Sequence, residues 1–149
     1  MTPIHILLVE DNEGDILLTR EALEEARVLT KLSVVRDGKE AMDFLNRQGK
    51  YLTSEMPDLL LLDVNLPKKN GHEVLQYIKG SNGLKHIPVI MLTTSSSPKD
   101  VNEAYNNYVN CFITKPIDVN DFIRVIASIE NFWISIVKLQ QKEKSNEKR

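Results

Sequence analysis

Leu59-Leu60-Leu61-Leu62-Asp63-Val64-Asn65-Leu66-Pro67 is the stretch on which the fold turns. Four consecutive leucines ahead of an acid lack the apolar/polar alternation of a half-exposed strand. They fit a strand covered on both faces, as in a parallel sheet layered between helices. Such a strand carries Asp63 to its carboxyl end. In open parallel α/β sheets the ligand crevice lies outside the carboxyl ends of the strands, so Asp63 is the first candidate functional residue.

Working outward, further short apolar runs alternate with amphipathic segments. Ile4–Val9 reads as a buried strand ending in the acid-rich turn Glu10-Asp11-Asn12-Glu13-Gly14-Asp15. Ile16, Thr19, Leu23 and Ala26 then recur at helical spacing. Leu32–Val35 is a short strand, and Gly38 opens a helix with Ala41, Phe44 and Leu45 inward and Gly49 as its stop. Residues 50–57 form a polar connection to the leucine strand. Pro67, Asn70 and Gly71 mark a loop, Val74, Leu75 and Ile78 a helix, and Pro88–Leu92 a buried strand ending in Thr93-Thr94. Pro98 suits a helix's first turn, with Val101, Ala104 and Tyr105 following. Val109–Thr114 is the fifth strand, closed by Lys115-Pro116. The last helix, about 118–139, carries the stripe Phe122, Ile126, Ile129, Trp133 and Ile136 plus apolar residues outside it, Phe132 among them. That excess predicts a second partner for the helix. Five strand–helix alternations predict an α/β, flavodoxin-like doubly wound parallel sheet of order 2-1-3-4-5 with five helices.

At 149 residues and 42% hydrophobic content the chain suits one domain, expected over 1–140, with 141–149 a disordered charged tail. A net charge of −2 with interspersed signs gives no broad basic face, which argues against direct nucleic-acid binding. No run approaches the roughly 20 apolar residues that span a bilayer. Met1-Thr2-Pro3 leads straight into a strand without an export-type leader. The single Cys111 cannot form an internal disulfide, and a reduced, cytoplasmic location is expected.

The predicted strand order brings Glu10 and Asp11 to Asp63. Like charges so close disfavour one another, and a divalent cation resolves the conflict. Oxygen ligands without His or Cys at metal spacing favour Mg²⁺, with the backbone carbonyl of Asn65 as a further oxygen. A carboxylate beside Mg²⁺ can attack phosphorus and become an aspartyl phosphate. Thr93 and Lys115 would then supply a hydroxyl and a point charge to the phosphoryl oxygens.

The ordered set Glu10-Asp11, Asp63 with Asn65, Pro67, Gly71, Thr93-Thr94 and Lys115-Pro116 resembles the receiver domain of two-component response regulators, over residues 4 to about 130. The resemblance implies phosphate transfer from a sensor histidine kinase to Asp63, with Glu10 and Asp11 holding Mg²⁺ and Lys115 and Thr93 reading the phosphoryl group. It also implies that Phe112, where many members have tyrosine, turns inward as the face of helix four, strand five and helix five changes shape. Asn65–Gly71, Asn110–Lys115 and Phe132-Trp133 are similar to small stand-alone regulators that partner phytochrome kinases and dimerise through the last helix region. Output then passes to a downstream protein or a phosphotransfer partner.

Two other classes fit less well. A Mg²⁺-dependent aspartyl-phosphate phosphohydrolase resembles Asp-x-Asp at its nucleophile, where this chain has Asn65 and so no general acid-base. A flavodoxin-like cofactor binder would offer hydroxyls and backbone donors in the first loop, where Glu10, Asp11, Glu13 and Asp15 repel an anion. Glu13 and Asp15 are expected to be solvated, Cys111 to be a small buried hydrophobe, and Phe112 to be core or switch. His5, His72 and His86 lack mutual spacing and receive no role.

Overall fold

The computed structural model describes residues 3–25, 29–94, 98–115, 118–120 and 123–125. The elements run β1 (Ile4–Val9), α1 (Glu13–Glu25), β2 (Thr30–Val35), α2 (Gly38–Leu45), a 3₁₀ turn (Gly49–Tyr51), β3 (Leu59–Asp63), α3 (Gly71–Gly80), β4 (Val89–Thr93), α4 (Pro98–Asn106) and β5 (Cys111–Thr114). All strand pairs are parallel and the order is β2-β1-β3-β4-β5. This is the doubly wound sheet expected from the alternation of patterns. Of the last helix, residues 119–120 and 123–125 are helical. Ala26, the stripe from Ile126 onward, Phe122, Phe132, Trp133 and the charged tail lie outside the described residues.

β3 sits at the centre because it can be covered on both sides: Leu59–Leu62 are at most 2% exposed. Burying each such side chain is worth roughly 1.5–3 kcal/mol, which makes the strand an anchor for its neighbours. Alternate residues serve opposite faces. Leu60 and Leu62 join Leu7, Val9, Val89 and Met91 in one cluster with Ala41, Phe44 and Leu45 of α2 and Val74, Leu75 and Ile78 of α3. A single row runs across the sheet as Val35, Val9, Leu62, Met91 and Phe112. Level strands have level ends, and the groups that follow them share one edge.

The helices that flank this edge start from side-chain caps. Asn12 Oδ1 accepts from the Asp15 N–H at 2.9 Å, Asp37 Oδ1 from the Glu40 N–H at 2.7 Å, and Asn70 Oδ1 from the Glu73 N–H at 3.0 Å. The sequence-expected stop at Gly49 is displaced. α2 ends at Leu45, the Arg47 N–H reaches the Phe44 carbonyl, and the Gln48 N–H reaches the Asp43 carbonyl. This is a Schellman closure with Arg47 in the left-handed position (φ 53°), so the chain has left the helix before Gly49 begins the 3₁₀ turn. β5 also starts later than Val109, at Cys111. Asn110 explains the difference, since its side-chain Oδ1 takes the Val89 N–H at 2.8 Å in place of a regular ladder bond.

Candidate functional site: an acidic pocket at the carboxyl edge of the sheet

Glu10 follows β1 directly and Asp63 closes β3; they are 1% and 5% exposed. Asp11, the next residue after Glu10, is exposed, and its N–H donates to Glu10 Oε2 at 3.2 Å. One carboxylate oxygen from each of Glu10, Asp11 and Asp63 lies within 4.8 Å of the others. The three acids singled out in the sequence are therefore brought together.

Lys115, the residue after β5, reaches the same place. Its Nζ donates to Glu10 Oε1, to Asp15 Oδ2 at 2.9 Å and to Asp63 Oδ2 at 3.0 Å, with 8% of the side chain exposed. The other Asp63 oxygen, Oδ1, accepts the Asn65 N–H at 3.0 Å. Both oxygens of Asp63 are thus held, one by a charge and one by a backbone donor. Gly71 makes this approach of α3 possible. A Cβ there would lie 2.2 Å from the Asp63 carbonyl oxygen, and the Gly71 N–H bonds to the Val64 carbonyl at 2.9 Å.

Asp15 was expected to be solvated, and here the structure corrects the expectation. It is two-thirds buried and bonded to Lys115, because the first turn of α1 leans over the pocket. A side chain in the first turn of a helix after β1 is a signal that the strand-end rule could have extended to. Glu13 points outward, 76% exposed, and pairs with Arg36. Thr93 ends β4 with no exposed surface, and its carbonyl accepts the Lys115 N–H at 2.5 Å. Phe112 is partly buried and packs against the core cluster. Cys111 is only half-buried, where a small buried hydrophobe was expected.

One ammonium is shared by three carboxyl groups, with Asp11 close by as a fourth, and Glu10 reflects the imbalance. Burial, a hydrogen bond with Asp63 and the charge of Asp63 push the Glu10 carboxyl up to about 8, against the opposing pull of Lys115. Burial alone would lower Lys115, but its bonds to Glu10, Asp15 and Asp63 outweigh that and hold it above the usual lysine range. The contact with Lys115 favours a charged Glu10, whereas burial and Asp63 favour a neutral one. The neutral direction prevails at pH 7, because Lys115 divides its charge among three acids and Glu10 is the more deeply buried of the close pair. A pocket that keeps a proton to relieve its own charge is chemically suited to exchange that proton for a cation. Oxygen-only donors select a hard divalent ion such as Mg²⁺.

Comparison with known proteins agrees with this geometry. The response regulator receiver domain family matches residues 6–127. The chain belongs to that family. It is 46% identical to response regulator Rcp1 of Synechocystis sp. (strain ATCC 27184 / PCC 6803 / Kazusa), over 92% of this chain and 93% of Rcp1. It is 42% identical to the probable methanogenesis regulatory protein FilR2 of Methanothrix harundinacea (strain 6Ac), over 89% and 84% of the two chains. Among solved structures it is similar to the phosphorylated cyanobacterial phytochrome response regulator RcpA, with TM-score 0.77, 45% identity and coverage of 91% and 96%. It is likewise similar to the Mn²⁺-bound form of Rcp1, with TM-score 0.76, 46% identity and coverage of 88% and 94%. The receiver domain is a signalling module of two-component systems, and the CheY-like fold follows from the strand order and these likenesses. Among the described residues no helix is long and apolar enough to cross a membrane.

Proposed function

We propose that this receiver domain is a stand-alone phosphoacceptor switch, in which Asp63 takes a phosphoryl group from a sensor histidine kinase. The observation that carries the reading is Asp63 itself: a buried carboxylate at the end of the central strand, bonded to Lys115 and within 4.8 Å of two further acids. In the transfer, an Asp63 oxygen forms the new bond to phosphorus as the P–N bond to the kinase histidine breaks and the pair stays with the imidazole. The Asn65 N–H on Oδ1 orients the carboxylate so that its other oxygen faces the entering group. Lys115 exchanges a carboxylate contact for a phosphoryl oxygen, and Thr93 offers its hydroxyl to another. Glu10, Asp11 and Asp63, with the Asn65 carbonyl, would hold Mg²⁺, which would supply the positive charge that the transferring oxygens require.

A drawn-in Thr93 and an inward-turning Phe112 then reshape the face of α4 and β5 for a downstream protein or a phosphotransfer partner. The likeness to the phytochrome response regulator RcpA supports a phytochrome-type kinase as the donor, with this chain acting in the cytoplasm. Self-association through the last helix region rests on the apolar excess of that helix in the sequence. Hydrolysis of free phosphomonoesters is disfavoured, because position 65 is Asn and offers no acid-base group.

Labelling with acetyl phosphate and Mg²⁺ tests the reading. One base-labile phosphate per chain is expected, absent from Asp63→Asn and absent without Mg²⁺. Full labelling of Asp63→Asn would overturn the assignment.

A further inference from the structure

A second group of metal-ligating side chains lies outside the acidic pocket. His72, in the first turn of α3, is 8% exposed, and its Nε2 stands 3.3 Å from Asp100 Oδ1 and 3.8 Å from Glu103 Oε2. Asp100 and Glu103 are three residues apart, hence on one face of α4. The three ligand atoms lie within 4.8 Å of one another. No spacing along the chain points to the group, because 28 and 31 residues separate the histidine from its acids and only the packing of α3 beside α4 joins them.

Two features distinguish the group from an ordinary ion pair. A charge-assisted N–H···O bond is normally about 2.7–2.9 Å, and both contacts of Nε2 are longer, a hydrogen bond to Asp100 at 3.3 Å and an approach of 3.8 Å to Glu103. Those spacings bracket instead the roughly 3.4 Å edge of a tetrahedron whose N and O ligands stand about 2.1 Å from a metal. The second feature is the ring's other nitrogen. His72 Nδ1 is buried and has no hydrogen-bond partner among the described residues. The imidazole is thus enclosed on one side and turned by its Nε2 toward two carboxylates.

We propose that His72, Asp100 and Glu103 form a second cation site, distinct from the acidic pocket, for a borderline divalent ion such as Zn²⁺. The imidazole selects such an ion over Mg²⁺ or Ca²⁺, which prefer oxygen alone. Three protein ligands leave a fourth position for water. The bound ion clamps the start of α3 to the first two turns of α4. The unpartnered Nδ1 also limits the strength of the site: lacking the usual acceptor behind a metal-bound histidine costs roughly 10–100-fold in affinity, so the site is exchangeable rather than permanently loaded.

Calorimetric titration with Zn²⁺ in saturating Mg²⁺, alongside the visible absorption of Co²⁺, separates the two sites without relying on phosphorylation. The wild-type chain is expected to bind one Zn²⁺, His72→Gln to bind it at least about tenfold more weakly, and Asp11→Asn to bind it as the wild type does while losing Mg²⁺. Equal Zn²⁺ affinity in wild type and His72→Gln overturns the proposal, and so does loss of Zn²⁺ in Asp11→Asn, which would place the ion in the acidic pocket. Circular dichroism checks the fold of the variants. Where His72→Gln does not fold, Glu103→Gln carries the same test, since that side chain is 47% exposed and bears no core packing.

Discussion

Binding of Mg²⁺ should expel a proton from the acidic pocket, and the number follows from Glu10. With its carboxyl pushed up to about 8 by burial and Asp63, Glu10 is protonated in about 0.9 of molecules at pH 7, about 0.5 at pH 8 and about 0.1 at pH 9. A metal-ligating carboxylate must be ionised, so those fractions are the protons released per Mg²⁺ bound. Calorimetry in buffers of different ionisation enthalpy measures them as the slope of observed heat against buffer heat. Below pH 8 the apparent affinity for Mg²⁺ should fall about tenfold per pH unit. Stability of the metal-free protein carries the opposite sign. A carboxyl raised above its ordinary 4.5 contributes fully below pH 4.5, and that contribution is lost as pH rises through about 8, at about 1.4 kcal/mol per unit in between. Metal-free protein should therefore lose stability from this group across that window, and Mg²⁺ should restore it. Glu10→Gln should abolish both the proton release and the window. A slope of zero at pH 7 in the wild type would refute the reasoning, for it would mean that Lys115 alone keeps Glu10 ionised.

Replacing Lys115 by Met removes the ammonium that would contend with Mg²⁺ for Glu10 and Asp63; metal-free stability should drop by about 3 kcal/mol or more in urea unfolding, while Mg²⁺ affinity should rise at least about tenfold. An unchanged or weaker Mg²⁺ affinity would show that the lysine does not occupy the cation's ground. Two glycines of the same helix should respond with opposite signs. Gly71→Ala drives a Cβ to 2.2 Å from the Asp63 carbonyl and should cost at least about 2 kcal/mol, whereas Gly80→Ala meets nothing within 4 Å and should gain up to about 1 kcal/mol.

Much of the architecture was legible because it depends on local pattern. Four leucines without alternation announce a strand buried on both faces, and β3 is that strand. The spacing of Val74, Leu75 and Ile78 announces a helix with one buried side, and α3 buries all three. Boundaries were less legible, since they depend on which backbone group finds a partner first. α2 closes on Arg47 rather than on the glycine two residues later, and β5 is delayed by the Asn110 side chain.

The sequence by itself determined the fold class, the strand that delivers Asp63, and the acids and lysine that follow the other strands, because hydrophobic periodicity and strand-end chemistry are properties of neighbouring residues. Only the tertiary structure decided that Asp15 shares Lys115 with Glu10 and Asp63 across 100 residues of chain, and that His72 faces two acids of α4. Those pairings are set by how far a helix leans over a sheet edge and how closely two helices pack, distances of a few ångströms that no spacing along the chain encodes.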